Sequence, residues 1–75
     1  MGNLTAQLKI RTRLALLRAD RGLTQQELAD AIGVTRATII AIEKENYNPS
    51  LELCFRLARY FDRDIHSIFY VQEEK

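Results

Sequence analysis

The chain has 75 residues, of which 47% are hydrophobic and 28% charged, a composition that suits one small folded domain and excludes a disordered tail. Its apolar runs fall well short of the roughly 20 residues that span a bilayer, and no charged and then apolar leader opens the sequence. The single cysteine, Cys54, excludes an intrachain disulfide framework and favours the reducing cytoplasm.

Two short elements are predicted at the N-terminal end. Residues 1–6 show no periodicity, whereas residues 7–10 alternate between polar and apolar side chains, which indicates a strand. A first helix is predicted over about residues 13–21, with Thr12 as its N-cap and Gly22 at its end. The buried stripe of this helix is predicted to be Leu14, Leu17 and Ala15.

The central stretch, TQQELADAIGVTRATIIAIEK (residues 24–44), is typical of two helices joined by a tight turn. Thr24 and Glu27 have the capping-box spacing, in which each side chain covers a free backbone N–H of the other residue. Gly33 is placed to end the first helix in a left-handed conformation, and Thr35 is placed to cap the second helix. The residues predicted to pack the two helices together are Leu28, Ala29, Ile32, Ile39 and Ile42. This spacing predicts a helix-turn-helix over residues 24–44.

A longer helix is predicted after the loop of residues 45–49. Ser50 is placed to cap it, and its apolar pattern continues to about Phe61. Its inner face is predicted to be Leu51, Cys54, Leu57, Ala58 and Phe61, flanked by Leu53 and Tyr60.

The C-terminal end predicts one helical turn followed by a strand. Asp64 is placed to cap the turn, which covers about residues 65–69. Residues 68–72 are rich in aromatic and β-branched side chains, which favour extended backbone. We expect them to pair with residues 7–10 in a two-stranded ribbon, which needs packing behind it to be stable.

Residues 17–61, from LRADRGL to FRLARYF, resemble the Cro/C1-type helix-turn-helix regulators, also called the XRE family. The ending DIHSIFYVQEEK is similar to a compact subgroup that includes cytolysin-operon repressors. The resemblance implies a mainly α fold, a five-helix bundle of the lambda-repressor type, with a small antiparallel ribbon joining the N- and C-terminal ends. It also implies that residues 1–75 form a single domain that binds operator double-stranded DNA as a homodimer, usually as a repressor.

The second helix of the motif would then be a recognition helix, whose N-terminal residues meet base edges in the major groove. Its outward positions, and so the predicted base-reading residues, are Thr35, Arg36, Ala37, Thr38, Ile40 and Ala41. The resemblance places the main readers at Arg36 and Ala37, with Ala41 one turn further on. Arg36 is suited to a bidentate contact with guanine. Because many relatives have polar residues where this chain has Ala37, Ile40 and Ala41, we expect indirect readout to supply part of the specificity.

The net charge of +1 is unevenly distributed. Residues 1–44 carry seven Lys and Arg against four Asp and Glu, whereas residues 45–75 carry four against six. The basic half contains the predicted motif, which suits DNA on one face, although this modest charge predicts only modest non-specific affinity. Gln25 begins a helix, where free N–H groups favour an anion. The predicted phosphate contacts are Arg13, Gln25, Lys44, Asn46 and Asn48.

Two further groups of residues are predicted to have structural roles. The resemblance implies an ion pair between Arg18 and Glu43, which would join the first helix to the recognition helix. Because one recognition helix covers few base pairs, we also expect a two-fold dimer. The segment of about residues 65–75 supplies the apolar surface, and its predicted interface residues are Ile65, Ile68, Phe69, Tyr70 and Val71.

Other classes of function find little support in the sequence. His66 is the only histidine and has no partners at metal-ligand spacing, so we predict no metal. No motif indicates another cofactor or a small-molecule ligand, and we predict neither. No arrangement of residues suggests catalysis, so we do not expect an enzyme. Two alternatives to a dedicated regulator stay open: an antitoxin that binds both DNA and a toxin, and a protein-interaction module on the same fold. The operator, the target genes and the inducing signal are not encoded in any recognisable motif.

Overall fold

In a computed structural model, residues 8–72 are described, and they form five helices and two short strands. In chain order the elements are β1 (Ile10–Thr12), α1 (Leu14–Asp20), α2 (Gln25–Ile32), α3 (Arg36–Glu43), α4 (Leu51–Phe61), α5 (Ile65–Ile68) and β2 (Phe69–Val71). The predicted five-helix architecture with an antiparallel ribbon is therefore confirmed. The predictions for residues 1–7 and 73–75 lie outside the described residues.

Three of the helices begin at the side-chain caps that the sequence predicts. The Thr24 hydroxyl accepts from the Glu27 N–H at 3.0 Å, and the Glu27 carboxylate accepts from the Thr24 N–H at 2.8 Å, which completes the capping box of α2. The Thr35 and Ser50 hydroxyls accept from backbone N–H groups in the first turns of α3 and α4. Local sequence alone therefore sets where these three helices start.

The starts of α1 and α5 differ from the prediction. Arg13, not Thr12, occupies the N-cap position of α1, although the Thr12 hydroxyl still accepts from the Leu14 N–H at 3.1 Å. Asp64 is the N-cap of α5, but its side chain makes no capping hydrogen bond. Its backbone carbonyl instead accepts from the Ser67 N–H at 3.0 Å, which is sufficient for a helix of a single turn.

Each of the first four helices is followed within two residues by a residue in the left-handed conformation. These residues are Gly22, Gly33, Glu45 and Asp62, with φ between 55° and 78°. The N–H of the next residue then turns back onto the preceding helix, as when the Val34 N–H donates to the Ala29 carbonyl at 3.0 Å. Glycine adopts this conformation without steric cost, so the predicted end of α2 at Gly33 is confirmed.

The hydrophobic core is shared by the helices and the start of β2. Its buried members are Leu14, Leu28, Ala29, Ile32, Ile39, Ile42, Leu53, Leu57, Ala58, Phe61, Ile68 and Phe69. Two predictions about buried faces are wrong: Ala15 is exposed in α1, and Leu51 is 70% exposed at the start of α4. Leu53 occupies the core instead, because it lies one turn before Leu57, whereas Leu51 is about 200° around the helix from Leu53.

The ribbon joins the two ends of the described chain. β1 and β2 are antiparallel, with Ile10 opposite Val71 and Thr12 opposite Phe69. The Gln72 N–H donates to the Lys9 carbonyl at 2.8 Å, and the Arg13 N–H donates to the Ile68 carbonyl at 2.8 Å. The predicted ribbon is confirmed, but its first strand starts at Ile10 instead of running over residues 7–10.

Candidate nucleic-acid interface

The tight contact between α2 and α3 depends on a small side chain. Ala29 is fully buried where the two helices meet, and its carbonyl accepts from the N–H groups of Gly33 and Val34 at 2.9 and 3.0 Å. The turn therefore folds α3 back across α2, with Ile39 and Ile42 buried on its inner side. The opposite side of α3 faces outward.

The six predicted base-reading residues lie on this outward side or at its edges. Three of them, at the N-terminal end of α3, are exposed: Thr35, Arg36 and Ala37. The other three are half-buried: Thr38, Ile40 and Ala41. Among residues 8–72, Arg36 takes part in no ion pair, so its guanidinium is available to a ligand.

The two threonines at the start of α3 bond to each other. The Thr35 and Thr38 hydroxyl oxygens lie 3.1 Å apart, and the Thr35 hydroxyl also accepts from the Thr38 N–H at 3.3 Å. This arrangement fixes the first turn of the helix. Because a hydroxyl has one donor and two acceptor positions, Thr35 keeps capacity for one further hydrogen bond and Thr38 for two.

The C-terminal end of α3 is anchored through Glu43, whose side chain is only 8% exposed. Its carboxylate accepts from Arg18 Nε at 2.7 Å and Nη2 at 3.2 Å, which confirms the predicted ion pair. Arg18 Nη1 also donates to the Leu23 carbonyl at 2.7 Å. The hydrogen bond to Glu43 raises the pKa of Arg18. α1 and α3 are therefore joined by a charged contact that excludes most solvent.

Gln25 takes part in the same contact, which the sequence did not reveal. Its side-chain Nε2 donates to the Glu43 carboxylate at 3.1 Å. The side-chain amide is thus engaged within the protein. At the first position of α2, however, the Gln25 backbone N–H is one of the groups that a helix leaves without an internal partner. A phosphate contact by Gln25 stays a prediction, and we assign it to this N–H.

The other predicted phosphate contacts fall into two places. Lys44, Asn46 and Asn48 are exposed at the end of α3 and in the loop that follows it. Arg13, by contrast, lies beside the C-terminal segment: its guanidinium carbon is 4.1 Å from the centre of the Tyr70 ring. Arg13 Nη1 also lies 3.5 Å from the His66 carbonyl. The structure therefore groups the first three residues and separates Arg13 from them.

Sequence reasoning missed two residues at this loop: Tyr47 lies within it, and Lys9 lies across a cleft from it. Lys9 lines the same cleft as Asn46 and Asn48. Tyr47, which is 45% exposed, lines a second cleft with Thr38 on α3. The contacts that bring β1 to this loop are those of Glu45 with Arg11 and Thr12, and no local sequence pattern predicts contacts between residues so far apart in the chain.

Most arginine side chains of the chain are engaged in contacts within the protein. The number of arginines therefore overstates the number of guanidinium groups available to contact DNA. Arg21 donates to the Tyr60 and Phe61 carbonyls, both at 3.0 Å, and so covers the end of α4. Arg56 donates to the Ile32 carbonyl at 3.1 Å and pairs with Glu52. Together with the pairs of Arg11 and Arg18, these contacts use positive charge to hold the fold.

The predicted dimer segment is partly internal. Ile68 is fully buried and Phe69 is 8% exposed, so their side chains close the core instead of forming a surface. Their part in a dimer interface stays a prediction, but their burial in the core leaves most of the surface of this segment to its three other predicted residues. Val71 is 43% exposed, and Ile65 and Tyr70 are half-buried.

The described residues also bear on metal binding, thiol chemistry and membrane insertion. Within residues 8–72, no group of three or more His, Cys, Asp and Glu side chains is arranged to hold a metal ion. Cys54 is half-buried, and its burial raises the pKa of the thiol, which lowers its reactivity. None of the described helices is long and apolar enough to cross a membrane.

Comparison with known proteins assigns the family. The helix-turn-helix family model matches residues 14–68. The chain is 50% identical over 66 residues to an uncharacterised helix-turn-helix-type transcriptional regulator of Methanothermobacter thermautotrophicus, covering 87% of this chain and 96% of that protein. It is 42% identical over 45 residues to the cryptic phage CTXphi transcriptional repressor RstR of Vibrio cholerae, covering 60% of this chain and 40% of the repressor.

A solved structure supports the same assignment. The crystal structure of the transcriptional regulator VanUg superposes with a TM-score of 0.76 at 28% identity, over 99% of this chain and 100% of that chain. The family match spans both helices of the motif and most of the core. The chain therefore belongs to the helix-turn-helix family of Cro/C1-type transcriptional regulators, which are DNA-binding proteins and not enzymes.

Proposed function

We propose that this protein is a homodimeric, sequence-specific repressor that reads a palindromic operator through the major groove. The observation that carries the proposal is the contrast between the two ends of α3. Its C-terminal end is held by Glu43 against α1 and α2, whereas its N-terminal end exposes Arg36 and Ala37. A fixed helix that offers its first residues to solvent is what major-groove recognition requires.

In the proposed complex, Arg36 makes the main specific contact by donating to O6 and N7 of one guanine. The remaining hydrogen-bonding capacity of Thr35 and Thr38 serves bases or phosphates. The side chains of Ala37, Ile40 and Ala41 are small or apolar and suit contact with thymine methyl groups. Since only one of these six residues is charged, sequence-dependent DNA shape supplies part of the specificity.

The phosphate contacts are proposed to flank the recognition helix. The Gln25 N–H at the start of α2 binds one phosphate, where the helix dipole also favours negative charge. Lys44, Asn46 and Asn48 bind phosphates beyond the other end of α3. We add Lys9, because it lines the cleft that Asn46 and Asn48 also line. Such contacts fix the protein's register on the duplex without reading sequence.

Dimerisation follows from the size of the reading surface. Two recognition helices about 34 Å apart reach successive major grooves on one side of the duplex and give a palindromic site. The exposed apolar part of the C-terminal segment, Ile65, Tyr70 and Val71, is the proposed interface. Phe55 extends this surface, because it is 53% exposed and lines a cleft with Ile65.

A repressor is favoured by the similarity to the phage protein that carries that name. Occupation of operator DNA by a small dimer excludes other proteins from the same stretch, so it needs no further activity from the regulator. Because the DNA target lies inside the cell, we also propose a cytoplasmic location.

The test is selection of bound duplexes from a random oligonucleotide pool, with the wild type and the Arg36→Ala variant. We expect a palindromic motif for the wild type and the loss of one guanine preference in each half-site for the variant. The discrimination lost at that position should be about 1–3 kcal/mol. Arg63→Ala is the matched control, because Arg63 is also exposed but lies in the turn between α4 and α5.

Two outcomes would contradict the proposal. Selection of a single half-site without symmetry would leave a DNA-binding protein that is not a dimer. The absence of any enriched duplex at low salt would leave the protein-interaction module as the better explanation, because even non-specific DNA binding strengthens as salt is lowered.

A further inference from the structure

We propose that Glu45 is a positioning residue for DNA recognition, which fastens the terminal ribbon to the end of the recognition helix. The inference rests on the proposed function, because it explains how the loop after α3 is presented to DNA. Glu45 is a non-glycine residue in the left-handed conformation, which glutamate rarely adopts.

Glu45 occupies the position where a helix end usually has glycine. Its N–H donates to the Ile42 carbonyl at 2.9 Å, and the Asn46 N–H donates to the Ala41 carbonyl at 3.0 Å, which is the hydrogen-bond pattern of a Schellman motif. Its φ is +63°. At the equivalent positions after α1, α2 and α4 the chain has Gly22, Gly33 and Asp62, residue types that tolerate this conformation. A glutamate at this position needs compensation from elsewhere.

The compensation comes from the Glu45 side chain, which is 18% exposed. One carboxylate oxygen accepts from Arg11 Nε at 2.8 Å, and the other accepts from the Thr12 backbone N–H at 2.9 Å. Arg11 Nη1 in turn donates to the Gln72 side-chain oxygen at 2.8 Å. A side chain at the end of α3 therefore binds β1 directly and contacts the far end of the ribbon through Arg11.

The contact with Thr12 also occupies the outer edge of the ribbon. Backbone groups alternate in direction along a strand: the Lys9 carbonyl and the Arg13 N–H bond to Gln72 and Ile68 on the other side of the ribbon, whereas the Thr12 N–H points away from β2 and donates to Glu45. A strand edge with unpaired N–H groups is a site where another chain can pair. Glu45 satisfies this donor with the recognition helix of the same molecule.

The recognition helix is thus held at its C-terminal end by two carboxylates with different partners. Glu43 binds α1 and α2, whereas Glu45 binds β1. Between them they orient the last turn of α3 and the loop that begins at Asn46. Without the Glu45 side chain, the Glu43 contacts with α1 and α2 remain, but the contacts that join the loop after α3 to β1, and so to Lys9, are lost.

The test compares two variants with a charge-matched control. Glu45→Gly removes the side chain and gives the left-handed position its preferred residue, so the melting temperature should stay close to that of the wild type. Glu45→Gln keeps the length of the side chain but leaves one acceptor oxygen for two donors. Glu52→Gln removes a carboxylate from the exposed pair with Arg56, where both side chains are about half or more exposed to solvent.

Binding is measured with the duplex selected from the random pool and with a scrambled duplex of the same length. We expect Glu45→Gly to bind the selected duplex about tenfold more weakly, the scale of one lost charge-assisted hydrogen bond. We expect the Thr12 amide to exchange faster with solvent. The loss of a negative charge by itself should strengthen DNA binding, which is the opposite of the change expected for Glu45→Gly. Glu52→Gln measures the size of this purely electrostatic effect.

The outcomes separate this inference from the proposed function. Wild-type binding of the selected duplex by both Glu45 variants would overturn the positioning role, and so would unchanged exchange of the Thr12 amide. If the wild type selects no duplex, the proposed function fails, while the amide exchange still decides whether Glu45 fastens the ribbon. If Glu45→Gly lowers the melting temperature, Glu45→Gln provides the same comparison, because glutamine does not add the backbone freedom that glycine has.

Discussion

Arg18 on α1 and Glu43 in the last turn of α3 form a bidentate ion pair, with Nε–Oε2 and Nη2–Oε1 distances of 2.7 and 3.2 Å. The pair is well shielded, since the Arg18 and Glu43 side chains are 19% and 8% exposed. Gln25 adds a third element by donating to the same carboxylate. The orientation of the recognition helix is therefore set by a contact that lies away from its reading surface.

Glu43→Ala is expected to lower both stability and operator binding. It removes the acceptor for Arg18 and for Gln25 and leaves a guanidinium that is largely shielded from water. We expect a loss of about 2–3 kcal/mol in the free energy of unfolding, less than for a fully buried pair. Urea denaturation measures this loss. Glu52→Ala is the control and should change stability by about 0.5 kcal/mol or less, because its pair is exposed. A Glu43→Ala variant of wild-type stability would contradict the structural role of the pair.

The salt dependence of DNA binding should be modest for a protein with so many arginines. If Lys9 and Lys44 are the cations that neutralise phosphates in each protomer, the plot of log K against log salt concentration should have a slope of about −4 for the dimer. Titrations at several salt concentrations measure it. Lys44→Gln should reduce the slope by about 2, one for each protomer. Arg21→Gln should leave it unchanged, because Arg21 covers the end of α4.

Val71→Asp is expected to weaken the dimer without unfolding the protomer. Val71 is 43% exposed at the end of β2, so a charged side chain there stays in water in the monomer but would be buried in the proposed interface. Sedimentation velocity measures the association. Leu16→Asp is the control, because Leu16 is 70% exposed on α1, outside the proposed interface. Ile68→Asp should unfold the protein instead, since Ile68 is fully buried. An unchanged dimer in Val71→Asp would move the interface to another surface.

The stability that Glu45 provides should disappear in acid. The Thr12 N–H, followed by the hydrogen bond and charge of Arg11 and the charge of Lys9, holds the pKa of Glu45 below its ordinary value of 4.5. At higher pH the carboxylate is ionised in both the folded and the unfolded chain, and its contribution is constant. Below about pH 4.5 the unfolded chain takes up the proton first, so the contribution falls as the pH drops through the lowered pKa.

The measurement is the free energy of unfolding of the wild type and of Glu45→Gln from pH 7 to pH 3. The difference between the two proteins should narrow below pH 4.5. A constant difference would show that the charge of Glu45 does not contribute to stability.

Local signals made much of this fold predictable. Thr24 with Glu27, Thr35 and Ser50 cap helices through atoms within three residues of themselves, and Gly33 ends α2 through its own backbone freedom. Such contacts are set by neighbouring residues, so the sequence contains all of the information they need. The helix-turn-helix followed from this pattern, whereas the pairing of Arg18 with Glu43 was implied by the family resemblance alone.

The features that escaped prediction depend on residues far apart in the chain. The register of the ribbon joins residues 10–12 to residues 69–71, and three residues are too few to mark a preferred pairing. Glu45 has no glycine or asparagine character that would signal a left-handed residue, and its reason lies in Thr12 and Arg11. Likewise, Leu53 and Leu51 are both apolar, and only the packing around α4 decides which one is buried.

In α3 the residues proposed to read DNA differ from the residues that hold the helix in place, and this separation affects how such proteins diverge in evolution. Arg36 and Ala37 are exposed and lie outside the core, whereas the residues that hold the helix, Glu43 and Ile39, face inward. Substitutions at the first two positions are therefore nearly neutral for folding. After gene duplication, a copy can therefore change its DNA target by single substitutions without first gaining stability, because the residues that determine specificity are not the residues that stabilise the fold.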